Sequence, residues 1–99
     1  MDHLEIFKAL SNKSRLQILT WLKDPVHHFP DQEPYGYENG VCVGIIQQKS
    51  GHTQSTVSDH LAILQRAGLV EATRTGQWTC YRRNEAAFAS LSQIIETEI

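Results

Sequence analysis

The sequence has few cysteines, few prolines and no long apolar run. Two cysteines in 99 residues cannot build a disulfide scaffold and are typical of a reduced, intracellular protein. No apolar stretch approaches the length of a membrane span. Met1-Asp2-His3 leads straight into a helical pattern without a signal peptide. We therefore expect a cytoplasmic protein with no membrane partner.

Basic charge is scarce overall but concentrated in one region. The formal net charge of −2 argues mildly against a nucleic-acid partner. Residues 49–83, however, contain five lysines and arginines against only two acidic residues, whereas the segments before and after are net acidic. DNA phosphates would meet this local field rather than the total charge.

A capped helix is predicted after Gly51. Thr53 is a favourable N-cap, Gly51 can end the preceding helix in the left-handed conformation, and Gly68 stands where the helix would stop. The apolar residues between them recur at helical spacing and are Val57, Leu61 and Leu64. Leu69 can fold back on Leu64 as in a Schellman cap.

A hairpin is predicted to follow this helix. The β-favouring runs 70–74 and 78–83 are separated by Thr75-Gly76-Gln77, which is a turn signal. Helix, turn, helix and hairpin in this order describe a winged helix-turn-helix. We predict a single mainly α domain over residues 1–99, with about five helices and a two-stranded wing.

Three further helices complete the predicted core. The first covers about Asp2 to Leu10, with Asp2 as its cap, and the second covers Arg15 to Leu22. The third, Val41 to Lys49, would be the first helix of the DNA-binding pair. The apolar residues expected to face inward from the second and third helices are Leu16, Ile18, Leu19, Leu22, Val41, Val43 and Ile46.

Three segments resemble the ArsR/SmtB family of small bacterial repressors. FKALSNKSRLQILTWL (7–22), QSTVSDHLAILQRAGLV (54–70) and GQWTCYR (76–82) are similar to the family's opening, reader-helix and wing motifs. The resemblance implies a dimeric DNA-binding transcriptional regulator. We expect it to be a repressor that is released by an unidentified signal. It also implies that the first and last helices form the dimer interface.

The expected DNA-binding residues lie on the reader helix and the wing. Ser55, Thr56 and Asp59 occupy the exposed N-terminal face of that helix. Ser58 and His60 match family positions that meet DNA, whereas Asp59 departs from the arginine often found there. The complete predicted set is Gln54, Ser55, Thr56, Ser58, Asp59, His60, Arg66, Arg74, Gln77 and Arg82. For His60, the sequence is compatible with both a phosphate contact and a packing role.

A last helix is predicted over Glu85 to Ile99, and with the first helix it carries more apolar surface than one protomer can bury. The expected dimer-interface residues are Leu4, Phe7, Phe88, Leu91 and Ile95. A double-stranded DNA operator and a second copy of the chain are therefore the expected partners.

The segment from about 24 to 40 has no counterpart in the family. It contains all three prolines and four acidic residues but no lysine or arginine, and it reads as a long structureless loop held away from DNA. Its weak candidate metal ligands are His27 and His28, with Cys42 nearby, but their spacing fits no known zinc site. The last helix lacks the histidines of the family's other metal site. We expect no metal and no cofactor.

Cys42 and Cys80 allow a second interpretation. The resemblance includes relatives that close a disulfide, so a thiol-based redox-sensing repressor is an alternative. Because Cys80 belongs to the wing, it is expected to lie too far from Cys42, and a small buried side chain is the simpler role for it.

Other classes of function fit less well. An enzyme would need a converging nucleophile, base and electrophile, and the serines and histidines are instead spread over the reader helix and the loop. A winged helix that serves as a protein-interaction module is the more serious alternative. Such a module would be expected to carry apolar residues in place of Ser55, Thr56 and Asp59.

Overall fold

The computed structural model describes residues 3–99 as six α-helices, one 3-10 helix and three strands. In chain order these are α1 (His3–Leu10), α2 (Lys13–Lys23), α3 (Pro25–His28), a 3-10 helix (Pro30–Tyr35), β1 (Val41–Cys42), α4 (Val43–Ser50), α5 (Gln54–Arg66), β2 (Val70–Thr75), β3 (Trp78–Arg83) and α6 (Glu85–Glu98). The predicted cap Asp2 lies outside the described residues. The winged helix-turn-helix prediction is confirmed, with five helices of eight residues or more.

The core is enclosed by α1, α2, α4, α5, the sheet and α6. Its fully buried side chains include Ile6, Ile18, Ile46, Val57, Leu61, Leu64 and Leu69. The inward positions predicted at Ile18, Leu19 and Leu22 are confirmed, but the one at Leu16 is wrong, because this side chain is exposed. On α1 the buried residues are Ile6 and Ala9, whereas Leu4 lies on the outer side.

The wing contains one strand more than predicted. Val41 and Cys42, which we expected to begin a helix, form β1 and pair antiparallel with β3, so that the sheet order is β1-β3-β2. Val41 is nevertheless fully buried, as predicted. Helix α4 begins only at Val43, with Cys42 as its N-cap residue.

The segment from 24 to 40 is held against the rest of the domain, and the expectation of a structureless loop is wrong. Phe29 is buried in the core, where its ring meets Trp21 edge to face with centroids 6.1 Å apart. The Tyr37 hydroxyl donates to the Phe29 carbonyl at 2.6 Å. Two short helices follow from this anchoring, one beginning at Pro25 and one at Pro30.

Gly40 ends this insertion where no side chain fits. Its φ is +91°, and a Cβ atom there would lie 2.0 Å from the Tyr81 carbonyl oxygen on β3. The close approach brings the chain onto the edge of β3, which lets the next two residues form β1. None of the helices within residues 3–99 is long and apolar enough to cross a membrane.

Candidate nucleic-acid interface

Local signals fix both ends of α5. The Thr53 hydroxyl accepts a hydrogen bond from the Thr56 amide at 3.2 Å, which confirms the predicted N-cap. Gly51 ends α4 with a φ of +75°, also as predicted. At the other end the Leu69 amide donates to the Leu64 carbonyl at 3.0 Å across Gly68, which is the predicted Schellman cap.

The N-terminal half of α5 presents a polar face to solvent. Gln54, Ser55, Thr56 and Asp59 are exposed, and Ser58 is half-buried. The opposite face, formed by Val57, Leu61 and Leu64, is buried. Arg66 extends the exposed face at the far end of the helix. The sequence-predicted reader residues therefore share one accessible surface.

Arg15 links three elements behind this surface. Its guanidinium donates to the carbonyls of Ala9 (2.6 Å) and Lys8 (3.1 Å), which closes the end of α1. The same group lies 3.3 Å from Nδ1 of His60. Because the guanidinium can only donate, His60 must accept through Nδ1 here, and its Nε2 stays available to a partner.

The environment of His60 favours the neutral ring. Burial lowers the pKa of His60, and the positive charges of Arg15 and His52 lower it further, against an opposing effect of Asp59. In this state His60 packs against Arg15. A phosphate contact, which we also considered, would have to use its other nitrogen as a neutral donor.

The wing places Arg74 beside its hairpin loop and Arg82 farther along β3, where it pairs with Glu71. The hairpin loop is Gly76-Gln77, since Thr75 pairs with Trp78, and Gly76 has the positive φ of 62° that the first position of a type II′ turn requires. Arg74 is exposed and donates to the Gly76 carbonyl at 3.2 Å.

Arg82 is held differently from Arg83. Arg82 pairs with Glu71 across the strands at 3.5 Å and donates to the Glu38 carbonyl at 3.1 Å. Arg83, on the opposite face of β3, is bound to Glu85 at 3.0 and 3.1 Å and lies 3.8 Å over the Phe88 ring. Half of the Arg82 side chain is still exposed, whereas the Arg83 side chain is bound to residues of α6.

The insertion covers the outer face of the wing sheet. Gln32, only 1% exposed, accepts from the Cys42 amide at 2.9 Å and donates to the Gly36 carbonyl at 3.0 Å. Tyr35 and Trp78 approach each other across a cleft on this face. The acidic insertion is thus attached to the wing through Glu38 and Gln32.

The two cysteines lie in direct contact. Cys42 and Cys80 are paired residues of β1 and β3, and their sulfur atoms are 3.1 Å apart. The expectation that they lie too far apart is wrong. It assumed a helical Cys42, whereas β1 sets this residue beside the middle of β3.

The weak metal candidates do not converge. His27 and His28 contact each other on α3, with ring centroids 4.9 Å apart, whereas Cys42 lies against Cys80. Within residues 3–99 no three His, Cys, Asp or Glu side chains form a group that could hold a metal ion.

The predicted dimer residues divide into two groups. Leu4 and Ile95 are 61% and 49% exposed, and Phe7 and Phe88 are half-buried. Leu91 is only 6% exposed and belongs to the protomer's own core, which corrects its assignment to the interface. Leu16, which sequence reasoning assigned to the core, instead adds to the exposed apolar surface.

Two residues that position the site escaped sequence reasoning. Arg15 stands out in the sequence only as part of a motif, although its place three residues after the helix-capping Asn12 allows it to reach back to α1. The sequence does not indicate that Gln32 is buried, because a polar residue in a Pro-rich segment is ordinarily solvated.

Comparisons with known proteins agree with this geometry. The family model described as "Bacterial regulatory protein, arsR family" matches residues 41–72. The uncharacterised HTH-type transcriptional regulator YbzH of Bacillus subtilis is 51% identical over 100 residues, which cover 100% of both chains.

Solved structures give the same result. The homodimeric winged helix-turn-helix DNA-binding domain of Mb0332 from Mycobacterium bovis, a possible ArsR-family regulator, is 32% identical with a TM-score of 0.63, covering 96% of this chain and 78% of that one. An ArsR-like transcriptional regulator from Rhodococcus has a TM-score of 0.71 at 25% identity, covering 94% and 74%. With its winged helix-turn-helix and these relatives, the chain belongs to the ArsR family of transcriptional regulators.

Proposed function

We propose that this protein is a dimeric repressor that binds an operator in double-stranded DNA within the cytoplasm. The observation that carries the proposal is the N-terminal half of α5, where Ser55, Thr56 and Asp59 are exposed above a fully buried apolar face. The major groove, about 12 Å wide, admits a helix of this kind, whose N-terminal side chains then meet base edges. An interface for another protein would favour apolar residues at these positions.

The remaining polar residues are assigned to the DNA backbone. Arg74 at the tip of the wing and Arg82 on its return strand would neutralise phosphates on either side of the inserted helix. Gln77 in the hairpin loop and Arg66 at the end of α5 are exposed and can donate to the same strands. Gln54, Ser58 and His60 lie at the start and flank of α5 and complete the set.

Dimerisation is supported by the apolar residues left outside the core. Leu4 on α1, Leu16 on α2 and Ile95 on α6 are exposed in the protomer. A homodimeric relative of similar fold, the Mycobacterium bovis domain, makes a symmetric pair reasonable for this chain. Two protomers would present two copies of α5 to successive turns of the duplex.

The DNA-binding proposal is tested by a shift assay with fragments from the protein's own genomic neighbourhood. We expect one fragment to be retained by wild type and released by a variant with both Ser55→Ala and Thr56→Ala. The matched control changes Ser90 and Thr97, which are exposed on the side of α6 away from Phe88 and Ile95, to Ala and should bind like wild type. Failure to retain any fragment, or wild-type binding by the α5 variant, would overturn the proposal in favour of a protein-interaction module.

Repression is tested separately with a reporter transcribed from the retained fragment. We expect transcription to fall as the protein is supplied, and a rise would instead identify an activator. In the same system, arsenite, cadmium and zinc should leave repression unchanged. A soft-metal site needs two to four converging thiolates, and in the described part of the chain Cys42 and Cys80 have no third ligand beside them.

A further inference from the structure

Cys42 and Cys80 are placed by the backbone for a covalent bond. They face each other as paired residues of antiparallel β1 and β3. Directly opposed residues of such strands have Cα atoms about 4.5–5.5 Å apart, which falls within the range that a disulfide spans. Since the sulfurs are already 3.1 Å apart, they would need to approach by only about 1 Å to reach bonding distance.

The two thiols differ in accessibility. Cys80 is buried, and this burial, reinforced by the neighbouring Cys42 thiol, raises the pKa of Cys80 to about 12. Cys42 is half-buried and borders the solvent. An incoming reagent therefore meets Cys42 first, and Cys80 stands behind it as the second thiol.

A cleft leads to Cys42 from outside. Its volume is about 290 Å³, and its walls include Tyr35, Ile45, Gln48 and Trp78. The Tyr35 and Trp78 side chains are 72% and 55% exposed, so that two aromatic rings flank the entrance. This shape and chemistry admit a small organic molecule with an apolar part, which has to pass the rings before it reaches sulfur.

We propose that Cys42 and Cys80 form a reversible dithiol site that is oxidised by a low-molecular-weight organic disulfide. The Cys42 thiolate attacks one sulfur of the small disulfide, so that a mixed disulfide forms on Cys42 and one small thiolate leaves. The Cys80 sulfur then loses its proton to solvent and attacks the Cys42 sulfur, which releases the second small thiolate. Both protein thiols are oxidised to one disulfide, and the small disulfide is reduced to two thiols.

The site joins the two parts of the molecule assigned to DNA. Cys42 is the N-cap residue of α4, the first helix of the helix-turn-helix, and Cys80 lies on β3 between Trp78 and Arg82. Gln32 holds the Cys42 amide from the insertion side. Drawing the sulfurs together therefore shifts α4 against the wing, and α5 and Arg82 would no longer fit the duplex together.

The chemical part of the proposal is tested on the full-length protein without DNA. Reduced protein is treated with bis(2-hydroxyethyl) disulfide, remaining thiols are alkylated, and the products are identified by intact-mass and peptide mass spectrometry. We expect an intramolecular Cys42–Cys80 disulfide in wild type. Cys80→Ser should stop at the mixed disulfide on Cys42, and Cys42→Ser should react far more slowly than Cys80→Ser.

Two results would overturn this chemistry. One is wild-type protein that retains both free thiols, or forms only a bond between subunits, under conditions in which Cys80→Ser is fully modified. The other is equal reactivity of the two serine variants, which would remove the assigned order of attack. Reduction with dithiothreitol should restore both thiols, and a product that resists it contradicts a reversible site.

The regulatory part rests on the proposed DNA-binding function. Oxidation of wild type should weaken operator binding by about tenfold, within the usual range of coupling between sites, and dithiothreitol should restore it. Neither serine variant should show this reversible change. If the reduced protein binds no DNA, the proposed function fails although the disulfide chemistry can stand. If oxidised and reduced protein bind the operator equally, the coupling fails and the proposed function stands.

Discussion

Asp59 is the residue at which this recognition helix departs most from a basic DNA-binding surface. Its carboxylate is exposed on the face of α5 assigned to the groove. A carboxylate can accept a hydrogen bond from the exocyclic amine of cytosine but is repelled by phosphate. Asp59 therefore fits the proposed role in base choice, and the phosphate contacts proposed for Arg74 and Arg82 would supply the general attraction.

Replacement of Asp59 by Asn should change the base preferred in each half-site. The amide offers a donor as well as an acceptor and suits adenine, so the change in preference should amount to about 1–3 kcal/mol at one position. Selection from a randomised operator measures it. The control, Gln65→Ala, alters an exposed residue in the last turn of α5 and should leave the selected motif unchanged. An unaltered motif in the Asp59 variant would remove this residue from base recognition.

His60 gives the fold a predicted sensitivity to acid. Its pKa in the folded state lies below the value of about 6.5 found in unfolded chains, because burial and then Arg15 and His52 disfavour the charged ring. Between the two pKa values the unfolded chain binds more protons. The stabilisation is therefore fully present above about pH 6.5 and is lost as the pH falls through the folded-state pKa.

Urea unfolding at about pH 7.5 and about pH 5 tests this effect. Wild type should lose more stability over this interval than His60→Asn, whose amide oxygen can still accept from Arg15 but does not titrate. His27→Asn is the matched control, because His27 is exposed on α3, and it should follow wild type. An equal loss in wild type and His60→Asn would contradict the role given to this ring.

At the scale of elements, the wing holds two arginines, Arg74 and Arg83, in different surroundings. Arg74 lies near the hairpin tip with its guanidinium exposed, whereas Arg83 is bound to Glu85 and stacked on Phe88. Arg74→Ala should weaken binding about equally for all sequences and reduce the slope of log affinity against log salt by about 1. Arg83→Ala should leave that slope unchanged. A new sequence preference with the wild-type slope in Arg74→Ala would mean that the wing reads bases.

The insertion offers a test of how closely its end is packed. Gly40→Ala would hold an alanine at a positive φ and would also place its methyl group against the Tyr81 carbonyl. Gly36→Ala would hold an alanine at a similar φ of 79°, but its Cβ atom would have no other atom within 4 Å. We expect Gly36→Ala to cost about 1 kcal/mol and Gly40→Ala to cost clearly more, about 3 kcal/mol. Urea unfolding measures both. Equal losses would show that β1 can move away from β3 without penalty.

Some elements could be predicted from the sequence and others could not. The difference is whether an element depends on residues close to it in the sequence or on residues far from it. The boundaries of α5 follow from local features, namely the cap at Thr53 and the left-handed Gly68, and these were predictable. Strand β1 has only two residues, too few for any period, and its partner Cys80 is 38 positions away. The contact of Cys42 with Cys80 could not be predicted for the same reason.

The insertion was misjudged for a related physical reason. Prolines and acidic residues predict a solvated loop, but the order in this segment comes from Phe29 in the core and from Gln32 against β1. Each contact reaches a residue outside the segment, Trp21 for Phe29 and Cys42 for Gln32. The polar face of α5 was predicted correctly, because helical spacing alone decides which side of a helix is buried.

For the whole molecule, the proposed dimer rests on the apolar residues left outside the core. Leu4, Leu16 and Ile95 are exposed on three different helices, and single exposed residues are ordinary on any protein surface. Their significance lies in the half-buried neighbours Phe7 and Phe88, which extend the apolar surface along α1 and α6. Such a surface is typical of a contact between subunits.

Ile95→Asp should therefore convert a dimer into monomers without unfolding them. Ile95 is exposed in the protomer, so a carboxylate there meets solvent once the partner leaves; Leu91 is unsuitable for this test because it belongs to the core. Light scattering at micromolar concentration measures the mass, and circular dichroism checks the fold. Val26→Asp, on exposed α3, is the matched control and should remain dimeric. The Ile95 variant should also lose operator binding, because each protomer alone contacts only half of a two-fold site. A monomeric wild type, or a dimeric Ile95→Asp, would exclude this surface as the interface.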